Sequence, residues 1–296
     1  MPKKTAIAKR VDTLLRVQEK TALERGDVGY MARALVLATL PHKKTAEPFY
    51  KRSNGSFQLE LSQNTSKVGL PYGSIPRLLL AYMATQAVKT QSPEINLGDN
   101  LSQFLAALGL SRTGGRWGNI TRVKDQMRRL AFCTMSLSRT EVTEQGVTEH
   151  FKNLQVASSG SFHWAKDPDQ KDLWDSTVCL SDDFYLEIIN HPVPLDMEIL
   201  KALKQSPLAL DIYSWLTYRT SYQRGRSKPI PWDSLQAQFG SDYPKTAQGK
   251  ADFKRKFKAK LKEVTKLYGG ANVDADAKNG LVISAGQTSV PKVAKK

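Results

Sequence analysis

The residues best equipped for chemistry in this chain are cations, and the chemistry they suit is the binding of a polyanion. In GKADFKRKFKAKLKEVTKLYGG, Gly249 to Gly270, the residues Phe253, Phe257, Leu261, Val264 and Tyr268 recur at steps of four, four, three and four. At about 100° per residue they form one narrow helical stripe. Arg255, Lys258, Lys262 and Lys266 fall on the opposite face, and Lys254, Lys256 and Lys260 flank the stripe. One face is built to pack and the other to meet anions, with only Asp252 and Glu263 offsetting the charge. Three readings are open: a solvated basic face, a membrane-surface helix, or a helix in the major groove of DNA. A membrane-surface helix wants a bulkier exposed apolar face than this stripe leaves once it packs. In the groove, the lysines would neutralise phosphates and Arg255 would suit a guanine edge.

A parallel cluster lies in SRTGGRWGNITRVKDQMRRL. Ile120, Val123, Met127 and Leu130 make the packing face, with Arg122 and Arg129 expected to point away from it. Arg112, Arg116 and Asn119 sit at a turn and helix start, where a helix-turn-helix places groups that contact bases and phosphates. Gly114, Gly115 and Gly118 either let the backbone approach a phosphate or simply make the turn. Trp117 is expected to anchor the core rather than stack on a base. A third basic stretch, RTSYQRGRSKP, carries Arg219, Arg224, Arg226 and Lys228 on a loop that either contacts the DNA backbone or is merely solvated.

Motifs for other chemistries are missing from the sequence. There is no G-x-x-x-x-G-K-[ST] run for a P-loop. His42, His150, His163 and His191 are scattered and share no short motif, which argues against a metal-dependent nicking enzyme and a tyrosine recombinase. Asp182-Asp183 is explained by helix capping. Cys133 and Cys179 lie far apart in apolar settings without zinc spacing, so both read as buried core thiols of a reducing compartment. No cofactor, no metal and no catalytic activity is expected.

These groups need a globular scaffold, and the composition permits one. The 296 residues are 40% hydrophobic and 24% charged, with a net charge of +16. A chain of that length forms one large domain or two ordinary ones. The charge favours nucleic acid first and an anionic membrane second. The N-terminus lacks a signal-peptide pattern and the apolar runs are too short to span a bilayer, so a cytoplasmic protein with no membrane partner is expected.

Periodicity predicts an amphipathic helix over 5–25 and a second from Tyr30 to Leu40, stopped at Pro41. A hairpin is expected around Asn54-Gly55. A helix follows, with Ser74 as N-cap and Pro76 in its first turn, then a short strand, EINL. Another helix is capped by Asp99 or Asn100 and ended by Gly109. The basic turn, the Gly118–Phe132 helix and several strands complete one unit. The order repeats: LDMEILKALKQ, a helix capped by Ser206 with Pro207 at its first position, PWDSLQAQFG, the Gly249–Gly270 helix, and a hairpin at Asn279-Gly280. The expected fold class is therefore α+β and helix-rich, with two tandem winged helix-turn-helix domains. The expected boundaries are 1–62 for N-terminal helices and hairpin packing on the first domain, 63–190 for the first winged helix, 191–285 for the second, and 286–296 for a disordered tail. HPVPLD, with its two prolines, reads as the linker.

The segment GLPYGSIPRLLLAYMATQAV…LGDNLSQFLAALGLSRTGGRWGNITRVKDQMRRL resembles the conserved block of plasmid-encoded RepA-type replication initiators. The likeness runs from about Phe57 to Ile283 and is most specific over Pro71–Leu130. It implies a bacterial protein that binds repeated sites (iterons) in double-stranded DNA at a plasmid origin, helps open the adjacent DNA and recruits host replication proteins. It also implies monomers acting on iterons and a homodimer repressing its own synthesis. Carried over by position, Arg116, Asn119, Arg122 and Arg129 would serve the first domain, and Arg255, Lys258 and Lys262 the second. A transcriptional repressor with the same DNA-binding fold and a DNA-nicking enzyme are the alternatives.

Overall fold

The structure is a computed structural model that describes residues 6–65, 68–163, 176–240 and 243–291. It separates into two units, Met31–Pro192 and a second made of Met1–Tyr30 with Val193–Lys296. The N-terminal helix thus groups with the C-terminal winged helix, which no local pattern in the sequence announces.

The chain begins with α1 (Ala6–Glu19), α2 (Ala22–Arg25) and β1 (Val28–Ala32). The expected 5–25 helix is broken at Thr21, whose hydroxyl accepts from the backbone N–H of Glu24 while Glu24 reaches back in a capping box. The expected Tyr30–Leu40 helix shrinks to α3 (Arg33–Leu37), because Val28–Ala32 is taken into a strand.

In the Met31–Pro192 unit, β2 (Phe49–Asn54) and β3 (Phe57–Gln63) form the expected hairpin, with Gly55 at φ 59°. Helix α4 (Ser74–Thr90) is buried nearly all round, from Ile75 to Ala87. Its N-cap is Gly73 at φ 78°, with Ser74 the first helical residue rather than the cap. Next come β4 (Glu94–Asn96), α5 (Leu101–Ala107), capped by Asn100, and α6 (Asn119–Ala131). Strands β5 (Cys133–Thr143), β6 (Gly146–Gln155), β7 (Ala157–Ser161) and β8 (Thr177–Leu180) follow, then α7 (Asp182–Asn190). Ser181 caps α7, with Asp182 and Asp183 in its first turn, as the capping reading expects.

These strands divide between two sheets. β4-β8-β7 is the small sheet of the winged helix, closing behind α4, α5 and α6. β5 and β6 leave it and join the hairpin as β2-β3-β5-β6, with Leu59 opposite Leu137 and Leu61 opposite Met135. The long β5–β6 hairpin is therefore an addition to the winged helix. Alternation along β8 buries Val178 and Leu180 and turns Cys179 outward, so only Cys133 is the buried thiol expected of both.

In the second unit, HPVPLD is not a free linker. Pro192–Asp196 forms β9, which pairs with β1 in a two-stranded sheet where prolines are tolerated. Asp196 ends it, capping α8 (Met197–Ala202) and pairing with Arg25 at 2.5 Å. Burial disfavours the Arg25 charge, but hydrogen bonding and attraction to Asp196, helped by Asp27, prevail and raise its pKa. Helices α9 (Pro207–Tyr222), α10 (Trp232–Phe239) and α11 (Ala247–Leu267) are followed by β10 (Asn272–Asp274) and β11 (Val282–Ser284). Ser206 and Pro207 start α9 as expected.

The segment after β11 is anchored at Gln287–Val290, contrary to the expected tail. Val290 is buried, the Tyr213 hydroxyl lies 2.7 Å from Ser289 Oγ, and Tyr268 donates to the Gln287 carbonyl at 2.8 Å. Buried tyrosines need polar partners, and this stretch supplies them. The last five residues of the expected tail lie outside the described residues.

Candidate nucleic-acid interface

Helix α11 begins at Thr246, whose hydroxyl accepts from Gly249 N–H at 3.1 Å. Gly249 cannot carry a side chain, since a Cβ would lie 2.1 Å from the Pro244 carbonyl oxygen. The apolar stripe is core: Phe253, Phe257 and Val264 are wholly buried, Leu261 and Tyr268 nearly so. Phe257 meets the rings of Trp232, Phe239 and Phe253 at 5.9, 5.5 and 5.6 Å between centroids. That packing fixes the helix's rotation and turns Ala251, Arg255, Ala259, Lys262 and Lys266 to solvent. Two alanines among the cations leave the backbone open to close approach, a feature invisible to a count of charges.

Arg255 on this face and Lys258 at its flank are held by counter-ions. Arg255, its side chain 82% exposed, pairs with Asp252 at 2.8 Å. Lys258, 31% exposed, pairs with Asp276 at 2.5 Å. The hydrogen bond from Lys258, then its charge, holds the Asp276 carboxyl below the usual carboxylate range. The ammonium groups of Lys254 and Lys258 lie 5.1 and 5.8 Å from the Trp232 ring centroid. Trp232, which sequence reasoning passed over, thus orients two lysines while bracing Phe257. Lys262 is exposed, and Lys266 stands at the rim of a cavity of about 250 Å³ also lined by Tyr268, Asp196 and Gln287.

Asp276 belongs to the wing. β10 and β11 pair in register from Asn272–Ser284 to Asp274–Val282, with Asn279 at φ 73° at the expected turn. Gly280 must be glycine, because a Cβ would lie 2.1 Å from the Ile230 carbonyl oxygen. Ile230 bridges Leu281, and Ser227 N–H donates to the Ile283 carbonyl at 2.8 Å. The basic loop is thereby laid along the wing. Arg224 and Arg226 are exposed there, with Arg226 3.5 Å from Asp274.

In the other unit, α6 buries Val123, Gln126, Met127 and Leu130. Its outward face carries Thr121, Lys124 and Arg128, with exposed Arg122 on the flank. Arg129, expected to point away from the packing face, is instead engaged at its flank, while Arg128 is exposed. Arg129 sits a turn from Asp125, pairing with it at 2.8 Å, donating to the Leu70 carbonyl at 3.2 Å and lying over the Tyr72 ring. Its side chain is only 12% exposed, because the Leu70–Tyr72 segment runs past that flank. Arg128 faces away from the core only because Gln126 is buried in place of Ile120, which the spacing of the apolar residues does not announce.

The turn before α6 is tightly closed. Asn119 donates from Nδ2 to the Ser111 carbonyl at 2.9 Å, and its backbone N–H donates to Thr113 Oγ1 at 2.9 Å. Asn119 therefore ties the turn, leaving less of its amide for a base than its position in the sequence implied. Thr121 Oγ1 donates to the Gly115 carbonyl at 2.8 Å. A Cβ on Gly118 would lie 2.2 Å from the Gly114 carbonyl oxygen, so this glycine serves the turn itself. Arg112 and Arg116 are exposed on the loop, Arg112 3.4 Å from Ser102 Oγ. Trp117 is 81% exposed, which overturns the expected core anchor: the closed loop leaves its ring no pocket to enter.

Among the described residues, no group of three His, Cys, Asp or Glu side chains could hold a metal. No described helix is long and apolar enough to cross a membrane.

Comparison with known proteins places this geometry. The family model described as plasmid encoded RepA protein matches residues 70–234. Comparison with curated protein sequences finds no match. Among solved structures, the selenomethionine crystal structure of domains 2 and 3 of RctB is similar, with a TM-score of 0.53 and 13% identity over 85% of this chain and 98% of that one. A second structure of the RctB domains 2–3 aligns at a TM-score of 0.49 and 14% identity, over 84% of this chain and 94% of that one. At 13% identity the likeness to the first of these is one of fold, two winged helix-turn-helix modules in an α+β chain.

Proposed function

The chain belongs to the plasmid-encoded RepA family of replication initiators, and we propose that it binds repeated sites in double-stranded origin DNA, promotes opening of the adjacent duplex and recruits host replication proteins. The observation that carries this reading is the outward face of α11, where Arg255, Lys258 and Lys262 stand clear of a fully packed aromatic stripe, beside a basic-edged wing. A helix so presented fits the major groove. Phosphates would displace Asp252 and Asp276 from Arg255 and Lys258, so binding there works against two existing ion pairs and frees two carboxylates. Arg255 is the side chain suited to a guanine edge, and Ala251 and Ala259 suit thymine methyls. Lys254, Lys262 and Lys266, with Arg224 and Arg226 along the wing, hold phosphates. In the first module, Arg122 and Arg128 on α6 and Arg112 and Arg116 on the loop do the same work.

The role is one of binding and assembly, in a bacterial cytoplasm and without cofactor, membrane or catalysis. A homodimer is the form suited to repressing its own gene. Footprinting on the DNA flanking that gene tests the reading. Directly repeated protected sites, together with replication of a plasmid carrying them, support the initiator. A single inverted repeat with no replication points to a repressor. Nicked or covalently bound product from supercoiled origin plasmid with Mg²⁺ or Mn²⁺ overturns the non-enzymatic role.

A further inference from the structure

Trp117 is the most exposed of the chain's described large hydrophobic side chains, at 81%, and nothing in duplex binding by α11 uses it. An indole left in water marks a partner surface when its neighbourhood is specific. Here the flanking sequence is cationic. From Ser111 to Lys124 the chain carries Arg112, Arg116, Arg122 and Lys124 and no carboxylate. The next acid, Asp125, is engaged by Arg129 at 2.8 Å. The Arg116 guanidinium lies 5.2 Å from the Trp117 ring centroid. A protein-docking patch would add apolar neighbours, whereas Trp117 is flanked by Arg116 and Gly118 with Gly114 and Gly115 just before them. The platform is also set before binding, since the loop is fastened to the first turn of α6 through Asn119, Thr121 and the Ile120 N–H bond to the Thr113 carbonyl.

A flat ring with one cation against it, a second in the same loop and two more on the start of α6 matches the face of a nucleobase beside its phosphates. We propose that Trp117 stacks on an unstacked base of the origin DNA while Arg116 pairs with an adjacent phosphate. The base has two sources, a strand exposed by origin opening or a kinked step of the bound duplex. The inference rests on the initiator reading above and adds to it a stacking site outside the groove-reading helices.

The test uses the full chain with Trp117→Ala and Trp117→Phe, against a single-stranded AT-rich origin oligonucleotide and against the duplex repeat. Fluorescence anisotropy measures affinity, and permanganate reactivity of thymines reports unstacking in the duplex. Melting of both variants is expected to match the original chain, because the ring is outside the core. Trp117→Ala is expected to weaken binding to the base-exposing DNA by about 5- to 150-fold, with most of the affinity kept by Trp117→Phe. Loss on the oligonucleotide alone supports the opened strand as source. Loss on the duplex with loss of permanganate reactivity supports the kinked step. Unchanged affinity for both DNAs, in a protein that still protects duplex repeats, overturns the stacking site and leaves the initiator reading standing. Failure of the unaltered chain to bind either DNA overturns both.

Discussion

Replacing Arg255, Lys258 and Lys262 together by alanine strips the outward face of α11 without touching its packed stripe. If each side chain neutralises one phosphate, the slope of log K against log salt falls by about 0.9 per residue, or about 2.7 for the three. Raising salt from about 50 to about 200 mM should then close the affinity gap between original and variant by about 40-fold. The structure adds a second effect. Asp252 and Asp276 now balance Arg255 and Lys258 at 2.8 and 2.5 Å, and the substitution leaves both carboxylates facing the phosphates unpaired. At low salt the affinity loss should therefore exceed that of three alanines placed where no acid stands nearby, and it should shrink as salt screens the repulsion. Anisotropy titrations of an origin-repeat duplex at several KCl concentrations give the slope, and circular dichroism checks the fold. A slope change below about half a unit in a folded variant would refute the reasoning and return α11 to a solvated basic face.

Four further outcomes follow from the same geometry. Asp276→Asn should tighten duplex binding and steepen its salt dependence by up to about one phosphate's worth, since it releases Lys258; weaker binding would contradict the counter-ion role. Phe257→Ala should cost about 3–5 kcal/mol in urea unfolding, toward the upper end because three aromatic contacts go with the side chain; a loss under about 1 kcal/mol would mean that the stripe is not core. Arg129→Ala should lower stability by about 1–2 kcal/mol and leave duplex affinity nearly unchanged, which thermal melts and anisotropy together would check. Burial pushes the Cys133 thiol up to about 12, so at pH 8 its thiolate is only about one part in ten thousand; iodoacetamide should label Cys179 in the native protein and spare Cys133 until unfolding, as peptide mapping would show.

Local physics wrote much of this protein into its sequence. Five residues at steps of four, four, three and four can share a helix face in only one way, so the stripe of α11 and the cations opposite it were readable without a fold. Caps and turns were equally legible at Ser206, Asn54-Gly55 and Asn279-Gly280, because each depends on a few adjacent dihedrals. The family likeness rested on a contiguous block, most specific over Pro71–Leu130 and inside the 70–234 that the family model matches, and was legible for the same reason.

What tertiary structure alone decided depends on partners far apart in the chain. Arg128 and Arg129 are adjacent and chemically alike; the passage of Leu70–Tyr72 buries one and leaves the other in water. Pro192–Asp196 becomes a strand because β1 lies beside it, and Gln287–Val290 is held because Tyr213 and Tyr268 need partners. Trp117 has the composition of a core residue, and only the closed loop keeps it out. Asp252 and Asp276 show the division most plainly. The first lies three residues from the arginine it balances and was visible as an offsetting charge, whereas the second reaches Lys258 only because the wing folds back across α11. Periodicity assigns a residue to a face, but whether that face meets solvent, an ion partner or another segment is set by contacts distant in sequence.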